Sequence, residues 1–275
     1  MKATRRTIRR RTALITGASG GLGMEFARLI ARDGHDLVLV ARRERELEEL
    51  AGELRNAHGV IVRCHAMDLA EHCSPARLWE RVADEGIVVD ILINNAGFGM
   101  HGPFVESARD ALARMLELNM TTPTTLLRLA LPGMVDRRWG RILNVASLAA
   151  YQPAGPGMSA YYATKSYVLA LSRGVADELR GTGVTVTTLC PGPTATPFAS
   201  GAHVDDTGLY SRRLMLPAGV VARRGYIGMQ KGRKVVVPGI ATKILAFAGE
   251  LPPRRIALAV NRRLLRRAKT SDSPS

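Results

Sequence analysis

The chain has 275 residues, with 39 Lys plus Arg against 24 Asp plus Glu, a net charge of +15 and 46% hydrophobic residues; this suits one large α/β domain and excludes wholesale disorder. No stretch approaches the ~18 uninterrupted apolar residues of a transmembrane helix, and no apolar h-region follows Met1, so the expected location is the cytoplasm. Three cysteines, Cys64, Cys73 and Cys190, are too few and too scattered for a disulfide framework.

Residues 1–11 form a basic tail carrying Lys2, Arg5, Arg6, Arg9, Arg10 and Arg11 and no acid. From residue 12 onward, short apolar runs alternate with stretches of helical periodicity, the pattern of a doubly wound parallel sheet wrapped by crossover helices. Seven strands are expected at about 12–16, 36–41, 60–65, 88–94, 141–146, 184–190 and 234–237. Helices are expected at about 22–33, 43–57, 74–85, 106–119, 122–138, 158–181, 217–230 and 239–249. Residues 191–216 interrupt the alternation with Pro191, Pro193, Pro197, Gly192, Gly201 and Gly208, so they read as a long irregular lid. No linker divides residues 12–251, which therefore form one domain.

Residues 252–275 are a basic C-terminal appendage. After Pro252-Pro253, the segment RRIALAVNRRLLRRAK holds seven basic residues and no acid, leaving about +3 for residues 12–253. A nearly neutral body argues against a nucleic-acid groove across the fold. At 100° per residue, Val260, Leu264, Ala257, Leu265, Leu258 and Ile256 share one half of a helix, opposite Arg255, Arg262, Arg263, Arg266 and Lys269; Arg254 and Arg267 are exceptions. That pattern fits a helix lying on an anionic membrane surface, here the inner face of the membrane. It also fits a helix packing its apolar face on the domain.

The first strand runs into Thr16-Gly17-Ala18-Ser19-Gly20-Gly21-Leu22-Gly23 and then an apolar-periodic helix. Such a turn sets free backbone N–H groups and the positive end of a helix dipole against a phosphate, which marks a dinucleotide site in a Rossmann fold. The second strand ends in Val40-Ala41-Arg42-Arg43, with no carboxylate until Glu44. Arginine at this point suits the 2′-phosphate of NADP, whereas NAD sites usually carry an acid there. NADPH is therefore the expected cofactor, with NAD as the alternative. Cys64-His65 and His72-Cys73 frame a short loop, but they lack a CxxC or HxxxH unit and predict no metal site.

Five features in register resemble the short-chain dehydrogenase/reductase family in its compact single-domain form. They are TGxxxGxG at 16–23, Asn94-Asn95-Ala96-Gly97, Ser147, Tyr161-x-x-x-Lys165 and Pro191-Gly192. The stretches LVLVARRERELEEL and CPGPTATPF are most similar to the ketoacyl and hydroxysteroid reductase branch. The resemblance implies a catalytic set of Asn119, Ser147, Tyr161 and Lys165. Tyr161 would donate the proton to a ketone oxygen, Ser147 would orient that oxygen, Lys165 would hold the nicotinamide ribose, and Asn119 would organise a water path to the lysine. A nearby ammonium is expected to lower the tyrosine pKa from its ordinary ~10.

The implied cofactor contacts are Gly17, Ser19, Gly20, Gly21, Leu22, Gly23, Arg42, Arg43, Asp68, Asn95, Ala96, Gly97, Pro191, Gly192, Thr194 and Thr196, together with Tyr161 and Lys165. Asp68 also reads as a cap for the next helix. Tyr162 lacks the family spacing and is expected in the core. The expected activity is reversible reduction of a ketone to a secondary alcohol, in a pocket of Phe98, Met100, Leu148, Met158, Phe198, Leu214 and Met215 that favours an acyl, lipid-like or steroid-like substrate. Arg212 and Arg213 are a solvated pair or a contact for an anionic substrate group. A homo-oligomer, dimer or tetramer, is expected. The alternatives are an NAD-preferring alcohol dehydrogenase and a nucleotide-sensing protein on the same fold.

Overall fold

Strand β1 (Thr12–Thr16) divides its side chains between two apolar cores: Ala13 and Ile15 enter one, and Leu14 enters the other. Strand β2 (Asp36–Ala41) does the same, with Leu37 and Leu39 opposite Val38 and Val40. A strand that buries both faces must lie inside a sheet covered on both sides. The computed structural model, which describes residues 10–198, 202 and 215–250, supplies those covers. Helices α1 (Gly21–Arg32) and α2 (Glu44–His58) set Phe26, Ile30, Leu47 and Leu54 on one face. Helices α3 (Ser74–Asp84) and α5 (Thr122–Asp136) set Leu78, Val82, Leu126 and Met134 on the other.

The remaining strands are β3 (Val62–Ala66), β4 (Ile91–Asn94), β5 (Gly140–Val145), β6 (Val184–Leu189) and, after the paired β7 (Thr194–Ala195) and β8 (Leu216–Pro217), β9 (Val235–Val236). The remaining helices are α4 (Arg109–Leu116), α6 (Ser159–Glu178), α7 (Ala218–Gln230) and α8 (Ile240–Glu250). The main sheet has seven strands in the order β3-β2-β1-β4-β5-β6-β9, all parallel. This is the expected doubly wound fold. Its order reverses between β1 and β4, where α/β sheets open a crevice beyond the strand carboxyl ends.

Several boundaries differ from the expected ones. The helix expected at 106–119 begins at Arg109, because Phe104–Glu106 makes its own short turn and Ser107 and Ala108 are extended. It passes into α5 through a widened π turn at Glu117–Thr121. Helix α6 stops at Glu178 rather than 181, since Gly181 and Gly183 turn the chain with φ of 80° and 84°.

Of the expected lid, β7 and β8 pair in parallel, while residues 199–201 and 203–214 lie outside the described residues, as do 1–9 of the basic tail and all of 251–275. Arg10 is tied to the domain by a bond from its Nε to Asp36 Oδ2 (2.8 Å), and Arg11 stacks over Trp139 at 3.9 Å. Among the described residues no helix is long and apolar enough to cross a membrane.

Candidate active site

The carboxyl ends of β1 to β6 open into one cleft of about 460 Å³. Its wall brings together Gly17, Ser19, Gly20, Gly21 and Leu22 from the β1–α1 turn, Arg42 and Arg43 after β2, Asp68 after β3, and Asn95, Ala96 and Gly97 after β4. Ser147 follows β5, Tyr161 and Lys165 come from α6, and Pro191, Gly192, Thr194 and Thr196 follow β6. Two expected site residues are not on this wall. Gly23 lies behind it, where a Cβ would stand 2.2 Å from the Gly17 carbonyl oxygen, so its bare Cα lets α1 approach the turn. Asn119 is buried, 2% exposed, beneath the Gly97–Phe98 backbone.

At one end, Arg43 donates from Nη2 to the Ser19 carbonyl (2.9 Å) and hydroxyl (3.1 Å) and pairs with Glu46 at 3.4 Å. Arg42 shares the wall and has no hydrogen bond or ion pair among the described residues, leaving its donors open to a ligand. Asp68 lies six residues before α3 and does not cap it. Its Oδ1 accepts from the Ala70 N–H (2.9 Å) and its Oδ2 from Arg114 (2.6 Å). Against the upward push of burial, these two bonds hold its carboxyl below the usual range. Arg114 was invisible as a site residue in sequence, being 46 positions from its partner.

The Asn95 side chain turns back to the carbonyls of Thr16 (2.9 Å) and Gly17 (3.1 Å). The Thr16 hydroxyl accepts from the N–H groups of Asn95 (2.9 Å) and Ala96 (3.0 Å), so the two loops flanking the crevice are stitched together. Thr16 sits in the glycine motif, yet nothing in its spacing signalled this second task.

At the other end, Lys165 Nζ donates to the Val145 carbonyl (3.0 Å) and lies 5.8 Å from the Tyr161 ring centre. Burial brings its ammonium down to about 8. Burial also pushes the Tyr161 phenol up; a hydrogen bond with Ser147 opposes the shift without reversing it. The expected lowering of the tyrosine pKa is therefore corrected: the desolvated phenolate costs more than its surroundings return. Tyr161 is thus held as the neutral phenol. The Ser147 hydroxyl accepts from the Ala149 N–H (3.1 Å), which fixes it at the mouth of β5.

Asn119 sits in the π turn between α4 and α5. It accepts from the Phe98 N–H (3.1 Å) and donates to the Phe98 carbonyl (2.9 Å) and to Thr164 Oγ1 (3.1 Å). Thr164 in turn donates to the Tyr161 carbonyl at 2.7 Å. A Cβ on Gly97 would stand 2.9 Å from Asn119 Oδ1 and 3.4 Å from Lys165 Nζ, so glycine is what lets this loop pass over the pair.

Phe98 and Phe198 line the cleft, with the Phe198 ring 5.5 Å from that of Tyr161. Met100 and Met158 line a neighbouring hollow. Leu148 does not face substrate space, because it packs with Tyr151, Val168 and Cys190 beneath α8. Met215 is off the cleft wall, and Leu214, Arg212 and Arg213 lie outside the described residues. Tyr162 is buried and meets Tyr161 edge-on at 6.4 Å. Among the described residues no three His, Cys, Asp or Glu side chains gather as metal ligands. Cys64 donates to the Leu47 carbonyl at 3.6 Å with its thiol pushed up to about 12 by burial, and His65 faces Glu85.

Residues 11–206 match the family described as short chain dehydrogenase. Over 191 residues the chain is 35% identical to the oxidoreductase UcpA of Escherichia coli strain K12, covering 69% of this chain and 71% of that one. A short-chain dehydrogenase from Sphingobium yanoikuyae, solved in complex with NADPH, superposes with a TM-score of 0.76 at 33% identity, covering 94% of this chain and 99% of its own. The bulky-bulky ketone specific alcohol dehydrogenase from Comamonas testosteroni superposes with a TM-score of 0.75 at 30% identity, covering 94% and 97%. The chain belongs to the short-chain dehydrogenase/reductase family, as an NAD(P)-dependent oxidoreductase acting on alcohol and ketone groups.

Proposed function

We propose that this enzyme prefers NADPH and reversibly reduces the ketone of an apolar acyl, lipid-like or steroid-like molecule to a secondary alcohol. The observation that carries the reading is the convergence of Ser147, Tyr161 and Lys165 on a cleft whose other end holds Arg42 and Arg43. The cleft suits a dinucleotide: its glycine turn leaves the first N–H groups of α1 without helical partners, and a phosphate is the natural acceptor for them. Arg42 and Arg43 would meet a 2′-phosphate, and Asp68, Asn95, Ala96, Gly97, Pro191, Gly192, Thr194 and Thr196 would line the rest of the cofactor. The bound nicotinamide supplies the hydride.

This chain's residues supply position and the proton. Ser147 holds the ketone oxygen against Tyr161, whose neutral phenol gives up its proton as negative charge grows on that oxygen. Lys165, fixed by the Val145 carbonyl, stabilises the phenolate left behind. Its Nζ, 5.8 Å from the Tyr161 ring centre, would also hold the nicotinamide ribose. Asn119 acts as a positioning residue, tying the Phe98 backbone to α6 through Thr164. Domain 12–251 would act as a homo-oligomer, with the 252–275 segment resting on an anionic membrane surface.

The cofactor assignment is tested by titration calorimetry of Arg42→Ala/Arg43→Ala. NADPH binding should weaken by about 1.5 to 3 kcal/mol, the value of a charged hydrogen bond, while NADH binding changes little. Equal losses for both cofactors would refute the 2′-phosphate role.

A further inference from the structure

Beside the cleft lies a second hollow of about 230 Å³, and among the described residues Tyr161 is the one common to both linings. Its walls come from the 100–108 segment after β4, from α4 and from residues 157–161 leading into α6. Met100, Leu112, Met115 and Met158 give it an apolar floor that packs around Tyr161. Thioether side chains adapt readily to ligands of different shape. On the rim, Phe104 is 63% exposed, and the adjoining Val105 is 90% exposed.

Among the described residues Glu106 is the one carboxylate in the lining, and no lysine or arginine of theirs faces the space; Arg109, at the start of α4, is not part of the wall. A volume below the ~300 Å³ at which pockets begin to hold a whole ligand means that this hollow takes part of one.

We propose that the hollow receives the larger arm of the ketone, and that Glu106 makes it select an uncharged apolar arm over one ending in a carboxylate or phosphate. The inference rests on the ketone-reductase reading and adds a substrate class to it. A ketone at Tyr161 is at the junction of the two spaces, so one substituent can remain in the cleft while the other enters the hollow. A carboxylate or phosphate entering the apolar hollow gives up hydration that no described lining cation returns, and Glu106, exposed on the rim, adds like-charge repulsion.

Three ketones assayed with NADPH test this: 2-butanone, 2-undecanone and 10-oxoundecanoate, the last two matched in chain length and differing in a terminal carboxylate. The native enzyme should show kcat/KM for 2-undecanone at least about tenfold above that for 10-oxoundecanoate, and Glu106→Lys should narrow this gap by at least about threefold. Ala108→Trp, at an exposed lining position, should lower the 2-undecanone to 2-butanone ratio by about tenfold, and Leu112→Ala should not lower it. A native preference for the oxo acid, or ratios unmoved in folded Glu106→Lys and Ala108→Trp variants, would overturn the proposal. Turnover of 2-butanone with an unmoved ratio refutes the subsite alone, whereas no turnover of any ketone by the native enzyme refutes the reductase reading with it.

Discussion

At residue scale, burial sets the proton chemistry. Lys165 is 5% exposed, and its pKa falls from 10.5 to about 8, so the fold carries an ammonium at a cost below pH 8. Between pH 8 and 10.5 an unfolded chain still binds that proton while the folded one has released it, so this residue's contribution to stability becomes more favourable as pH rises. At 1.36 kcal/mol per pKa unit the change is at most about 3 kcal/mol. The stability difference between native enzyme and Lys165→Met should therefore move in favour of the native form by up to that amount from pH 7 to pH 10.5. Denaturant unfolding without cofactor measures it, and a difference that stays flat with pH would contradict the assigned burial. The gathering of Tyr161, Lys165 and Ser147 at one cleft was legible in sequence because their spacing forms a motif. Their electrostatics were not, because desolvation depends on what packs above them. Arg114, Thr16 and Thr164 escaped for a related reason: each acts on a residue brought near by the fold or through a backbone carbonyl.

At element scale, α6 carries Tyr161 and Lys165, the side chains proposed to react, and a ladder of bonds along its length holds it in place. Thr164 meets Asn119 (3.1 Å), Ser166 donates to the Ala150 carbonyl (3.3 Å), Tyr167 meets Thr124 (3.0 Å), and Ser172 accepts from Asn144 at 2.8 Å. Asn144 in turn accepts from Asn94 (2.9 Å), so β4, β5 and α6 share one buried polar chain below the cleft. Strands and helices were readable from periodicity, since burying both faces of β1 and β2 leaves continuous apolar runs. The π turn at Glu117–Thr121 was not readable. One extra residue per turn leaves no compositional mark, yet it occurs where Asn119 must reach both Phe98 and Thr164. The hollow beside Tyr161 likewise depends on where the 100–108 segment folds.

At the scale of the whole molecule, charge and apolar surface gather at the carboxyl-terminal end. Helix α8 buries Thr242, Ala246 and Gly249 and turns Ile240, Ile244 and Phe247 outward at 79%, 63% and 65% exposure. The buried side of α8 reaches the active site: a Cβ on Gly192 would lie 2.7 Å from Thr242 Oγ1. The seven basic residues of 254–269 follow directly in sequence. An outward apolar stripe continued by a basic segment is what an anionic bilayer would meet, each basic residue contributing up to about 1 kcal/mol near the surface. Liposome sedimentation should show the full chain binding anionic vesicles at low salt and releasing at high salt, with a chain ending at Leu251 binding less. Identical behaviour of the two forms would refute a role for the segment.

The assigned chemistry is tested most directly at Tyr161. With NADPH and an apolar ketone that the native enzyme turns over, Tyr161→Phe should bind NADPH nearly as the native enzyme does while its turnover falls by about 10²- to 10⁴-fold. Turnover close to the native rate in that variant would contradict the role of Tyr161 as proton donor.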